Sequence, residues 1–166
     1  MSKFNEVEDN VIEMMDDLIK GYFPTIVNAR IKVLYNMVKK SSKGALILGQ
    51  MAKTTPILNY LTSTDDSGDN GYNYIMFLDG NVFPHLDIED KKRVVRHELN
   101  HISIDLDAKD PYKVVGHEIE DFYKEIEYNS NDTRWKERVF AITDSIYNSD
   151  EEIKGKATDG QEEDEE

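Results

Sequence analysis

Cysteine is absent from the 166 residues of this chain. No disulfide framework can form, and no thiolate can act as nucleophile or metal ligand. Long apolar runs are missing as well. Nothing approaches the roughly 18 consecutive apolar residues that a membrane-spanning helix needs. The opening residues, Met1-Ser2-Lys3-Phe4-Asn5-Glu6, turn acidic at once and lack the apolar centre of a secretory signal. The expectation is a cytoplasmic protein with no membrane partner. Positive charge is scarce, with 20 Lys and Arg against 34 Asp and Glu, a net charge of −14. That balance argues against direct nucleic-acid binding through a broad basic surface. Histidine is rare too, at four residues, so the placement of each one carries information.

The negative charge is uneven. From Asp150 to Glu166 nine acids face only Lys154 and Lys156, so half the net charge lies in the last 17 residues. Almost nothing apolar is available there to offset the entropy of ordering the chain. Residues 149–166 therefore read as an acidic disordered tail and residues 1–148 as a single domain. The tail could also engage a basic host protein by charge.

Apolar spacing gives a coarse map of the domain. Val7, Val11, Met14, Met15, Leu18 and Ile19 fall on one helical face that ends at Gly21. Residues 29–35 alternate like a half-buried strand, and 45–48 read as a short buried one. Residues 54–61 are ambiguous, and 62–72 form a Ser, Asp, Gly and Asn-rich loop. Tyr74 to Leu78 is the clearest strand and is read as an edge strand. Asp87, with Asp90 three residues on, caps a helix expected over 88–104, whose Val95, Leu99 and Ile102 share a buried face. A further helix is expected over 115–128. A last one over 133–147 carries Trp135, Val139, Ile142 and Ile146 as a core stripe. Helix, strands and then helices make an α+β domain.

Within the capped helix lies Arg96-His97-Glu98-Leu99-Asn100-His101, an H-E-x-x-H pattern. Residues four apart on a helix differ by about 40° of rotation and one turn of rise. His97 and His101 therefore project together and can share one tetrahedral Zn²⁺. Glu98 lies beside that metal rather than on it. There it can take a proton from a metal-activated water and pass it to a leaving amine. The third ligand is open among several residues. The extended pattern with a glycine turn fails, because Ile104 stands where Gly is needed, which leaves Asp107 weak. Glu120 or Glu125 would suit a glutamate ligand on a following helix. His117 is preferred, because it follows Gly116 at the expected start of that helix. His85, after Pro84, reads as a plain surface residue.

Three runs bring a family into view. They are Val94-Val95-Arg96-His97-Glu98-Leu99-Asn100-His101-Ile102, then Asp105 and Asp107, then Val114-Val115-Gly116-His117-Glu118-Ile119-Glu120-Asp121-Phe122. Together they resemble the phage metallopeptidase family, which pairs an HELxHI-type helix with a downstream GHD(V/I)E(D/E)F-like segment. Glu118 stands where Asp is usual. The resemblance covers roughly residues 10–127. It extends to minimal zincins of the SprT type, and so implies a three-stranded sheet packed on helices that carry HExxH and a third His. It further implies a reaction class and a viral origin but no particular substrate; the site residues themselves carry the expectation of a bound zinc and of a protein or peptide as the substrate class.

Two functions compete. The first is a zinc metallopeptidase with Glu98 as base, an extended substrate adding to the strand at Tyr74–Leu78, and Tyr112 or Tyr123 offered as second oxyanion donor. The second is an acidic interaction protein, a DNA mimic or inhibitor of a host transcription or nucleic-acid-binding protein, with a degenerate or structural metal site. A structural zinc is normally closed by four protein ligands, whereas a catalytic one keeps a position open.

Overall fold

A computed structural model describes residues 2–63, 71–117, 122–134, 137–139, 141–142 and 144–147. The chain divides into two compact units, Met1–Gly116 and His117–Glu166. The architecture is mixed α+β, as the sequence pattern predicts.

In the first unit, β1 (Phe4–Glu6) leads into α1 (Asp9–Tyr22), then β2 (Ile31–Asn36), a small hairpin of β3 (Ser41–Ser42) and β4 (Ala45–Leu46), and β5 (Gly49–Lys53). Next come α2 (Pro56–Leu61), β6 (Tyr74–Asp79), α3 (Ile88–Leu99) and a hairpin of β7 (Ile102–Ile104) and β8 (Tyr112–Val114). The main sheet has the order β1-β2-β6-β5. Strands β2 and β6 run parallel, from Ile31 opposite Tyr74 to Asn36 opposite Asp79. Strands β5 and β6 run antiparallel, from Gly49 opposite Leu78 to Lys53 opposite Tyr74. The fourth strand beyond the expected three is β1, three exposed residues whose Phe-Asn-Glu sequence gives no strand signal of its own.

Strand alternation sends Ile31, Val33 and Tyr35 of β2, Met51 of β5, and Tyr74, Met76 and Leu78 of β6 into one core. Helix α1 adds Val11, Met14, Met15, Leu18 and Ile19, and α3 adds Val95 and Leu99. Fully burying a side chain of this kind stabilises by about 1.5–3 kcal/mol. The two helices touch each other, and α3 lies against β5. Asp87 caps α3 through a 2.8 Å hydrogen bond from the Asp90 N–H, as expected. Thr55 and Pro56 resolve the ambiguous 54–61 stretch: the Leu58 N–H donates to the Thr55 hydroxyl and Pro56 opens α2.

Several expectations are corrected. Strand β6 is central, flanked by β2 and β5, so it offers no free edge to a substrate; the edge strands are β1 and β5. Residues 45–48 are not a buried strand. Ala45 and Leu46 are exposed in a hairpin that turns at Lys43 and Gly44, both at positive φ (49° and 81°). Helix α3 stops at Leu99, and Ile102-Ser103-Ile104 forms a strand, which suits two β-branched isoleucines. Of the predicted 115–128 helix, Val115, Gly116 and His117 are non-helical and Tyr123–Tyr128 form α4; 118–121 lie outside the described residues.

In the second unit, α4 is followed by helical residues at 137–139, 141–142 and 144–147. Val139, Ile142 and Ile146 are 51%, 61% and 54% exposed, so they are not the buried stripe the spacing predicts. Trp135 and the acidic tail lie outside the described residues. Among the described residues no helix is long and apolar enough to cross a membrane.

Candidate metal centre

The H-E-x-x-H segment straddles the end of α3. His97 and Glu98 sit in its last turn, while His101 lies one residue past the C-cap Asn100. The backbone tightens there. The Asn100 N–H approaches both the Arg96 and His97 carbonyls, and the His101 N–H donates to the Glu98 carbonyl at 3.1 Å. Asn100 keeps right-handed helical angles, so His101 still meets His97, edge to face, with ring centroids 5.3 Å apart.

The β7–β8 hairpin holds His101 from the other side. The Val115 N–H donates to the His101 carbonyl at 2.8 Å, and His101 Nδ1 lies 2.6 Å from the Val115 carbonyl oxygen. A carbonyl only accepts, so Nδ1 carries the proton and Nε2 keeps its lone pair for a ligand. Imidazole ligands are commonly oriented by a backbone carbonyl in this way. His117 follows two residues after Val115, at most about 7 Å of chain from that anchored point. His117 itself is non-helical, and the residues that would continue the expected helix, 118–121, lie outside the described residues.

His97, His101 and His117 each offer a ring nitrogen, and the three nitrogens lie within 4.8 Å of one another. Two ligand nitrogens on a tetrahedral zinc stand about 3.3 Å apart, from Zn–N bonds of about 2.0–2.1 Å. Small ring rotations close that difference, so the triad can bind a metal ion. Among the described residues the cluster holds three imidazoles and no fourth ligand, an open donor set.

Glu98 points away from solvent, at 4% exposure, although it is charged and belongs to a short polar helix. Burial pushes its carboxyl pKa up; His101 and a backbone hydrogen bond from Met51 of β5 pull the other way. A carboxylate shifted up in this way is a better match to proton transfer near neutral pH. It lies directly over Gly49. A Cβ built there would fall 2.5 Å from Glu98 Oε1 and 2.8 Å from both Cδ and Cγ. Gly49, the first residue of β5, is a site neighbour that the sequence pattern does not reveal.

The remaining nominees fare differently. His85 is exposed in the 3-10 turn at Phe83–His85, as expected. Asp107 is exposed in the turn between β7 and β8, and its N–H donates to Asp105. Glu125 is exposed on α4 and accepts from Asn129. Glu120 lies outside the described residues. The Tyr112 ring packs edge-on against Tyr74, with centroids 6.0 Å apart, while Tyr123 is 88% exposed.

No curated protein and no solved structure matches the chain. Residues 3–144 match the family described as "Putative phage metallopeptidase", a span that holds both hairpins, the H-E-x-x-H segment and His117, and the chain belongs to that family.

Proposed function

We propose that this chain is a zinc-dependent peptidase in which His97, His101 and His117 hold the ion and Glu98 is the general base. The convergence of three imidazole nitrogens beside one buried carboxylate is the observation that carries the reading. When bound, zinc supplies Lewis acidity toward a carbonyl and lowers the pKa of water toward about 7. Glu98 accepts a proton from water and returns it to the departing amine. Its desolvated carboxylate keeps that proton close to the reacting atoms. An extended peptide would pair with β5, the sheet's edge strand on the side of Glu98.

The test is metal content together with cleavage. Protein purified without chelator should carry about one zinc per chain. His97→Ala or His101→Ala should abolish binding, and His117→Ala should weaken it strongly. Glu98→Gln should keep the zinc and lose peptide cleavage by roughly 10²-fold or more. Full zinc occupancy in the His117 variant would move the third ligand to a carboxylate. Undiminished cleavage by Glu98→Gln would remove Glu98 from its role.

A further inference from the structure

The chain's charge is segregated in a way its net value hides. Between Asp17 and Asp65 there is not one acidic residue, yet seven Lys and Arg lie there, in a protein with a net charge of −14. This stretch builds the β3–β4 hairpin and the edge strand β5. Some of its cations are already matched, Lys32 by Glu6 and Lys53 by Asp110. Lys39, Lys40 and Lys43 are exposed, and among the described residues none of the three has an acidic partner.

Their position relative to β5 is defined. The Ile47 N–H donates to the Lys40 carbonyl at 3.0 Å, which folds the hairpin back onto the start of β5. The Lys40 ammonium donates to the Gln50 side chain. Gln50 lies between Gly49, which faces Glu98, and Met51, which is buried in the core. Side chains alternate along a strand, so Gln50 and Lys40 occupy the face of β5 opposite Glu98. The Asp79 N–H donates to the Leu48 carbonyl, and the Thr54 N–H donates to Asn73. Even-numbered backbone groups of β5 therefore face β6, and odd-numbered ones face away from it, where the Met51 N–H is already held by Glu98 and β8 packs nearby, with no further strand paired there among the described residues.

We propose that the substrate of this edge is an extended peptide with acidic side chains at alternate positions, selected by Lys40 and Lys43 on the hairpin. The inference rests on the peptidase reading above. A guest residue opposite Gln50 has its side chain on the Gln50 face, directly toward Lys40. Its two neighbours turn toward Glu98 and the metal-binding histidines. An acid at the first position meets unmatched cations, while a lysine there meets repulsion. Elsewhere the strongly acidic molecule repels such a guest, so the hairpin also fixes where it can land.

The experiment uses short blocked peptides of one apolar framework with Glu, Gln or Lys at every second position. Fluorescence anisotropy reads their binding to the zinc-loaded Glu98→Gln protein. The Glu peptide should bind about tenfold or more tighter than the Lys peptide. Added salt should narrow the gap. Lys40→Glu combined with Lys43→Glu should reverse the order while the melting temperature holds, since both side chains are exposed. Equal affinity for all three peptides overturns the proposal. Tighter binding of a short oligothymidylate than of the Glu peptide also overturns it, in favour of nucleic acid. Mass spectrometry of the same peptides with the wild-type protein separates the two layers. Charge-selective binding without cleavage supports the acidic ligand and sinks the peptidase reading. Cleavage indifferent to charge does the reverse.

Discussion

At the scale of single residues, Gly49 and Glu98 form one device. A carboxylate on a helix can be buried beside a metal-binding face only if the strand below it leaves room, and here the missing side chain is that room. The contact atoms include Glu98 Cγ and Cδ as well as Oε1, so an added methyl cannot be accommodated by moving the carboxylate tip alone. Gly49→Ala should therefore push Glu98 off its present rotamer or displace β5. Neither change touches His97, His101 or the Val115 carbonyl that orients His101. The expected result is zinc content near that of the wild type, with cleavage reduced by roughly 10²-fold, comparable to Glu98→Gln. Inductively coupled plasma analysis and a cleavage assay on the same preparation decide it. Wild-type turnover in Gly49→Ala would mean that the carboxylate has freedom the packing denies.

At the scale of elements, the β7–β8 hairpin matters most, because it carries the backbone that positions His101 and leads to His117. One hydroxyl fastens it to the main sheet. Tyr74 of β6 is fully buried, and its O–H lies 3.2 Å from the Ser103 carbonyl oxygen and 3.1 Å from that of Lys113. Those two residues face each other across the hairpin. Tyr74→Phe keeps the ring packed but leaves two carbonyls without that donor, at a cost of about 1–3 kcal/mol. The same bond has a pH signature. Burial pushes the Tyr74 pKa up to about 12, whereas an unfolded tyrosine ionises near about 10. Between those values the native state holds a proton that the unfolded chain has lost, so stability is full below about pH 10 and falls as pH rises. Tyr35 of β2 shifts the same way, through burial and its hydrogen bond to Glu8. Urea unfolding at about pH 8 and about pH 11 should show a shallower alkaline loss in Tyr74→Phe than in the wild type. Equal losses would show that the hydroxyl is not the titrating link. These elements were also the hardest to read from the sequence. The H-E-x-x-H spacing and the Asp87 cap were legible because both are local. The end of α3 at Leu99 was not, because Ile102 sits on the same apolar face whether the chain continues as a helix or turns into a strand. Strand β6 looked like an edge because its strongest apolar run says nothing of its neighbours. The edge strand β5, Gly49-Gln50-Met51-Ala52-Lys53, has weak strand propensity and is defined by pairing to β6.

At the scale of the whole molecule, the division of charge decides between the two functional classes that the sequence raised. Residues Asp150 to Glu166 hold nine acids and two lysines, half of the net charge, and lie beyond the residues that match the family. The buried core is drawn from residues 11–102, and the three clustered histidines end at His117. Removing 150–166 should therefore leave the melting transition and the zinc content in place, since an acidic segment with almost no apolar residues adds little to a packed core. A protein that is chiefly a peptidase should keep its cleavage after this truncation. The remaining negative charge lies outside the Asp17–Asp65 stretch, so the Lys39–Lys43 hairpin keeps its local field. An acidic decoy should behave in the opposite way. It should lose most of its affinity for a basic partner, and in the intact chain that affinity should fall steeply with salt. Parallel assays of the truncated chain and of Glu98→Gln separate the classes, with retained cleavage expected for the first and lost cleavage for the second. A truncated chain that keeps zinc but loses its biological effect, while Glu98→Gln keeps that effect, would place the function in the acidic tail instead of the metal centre.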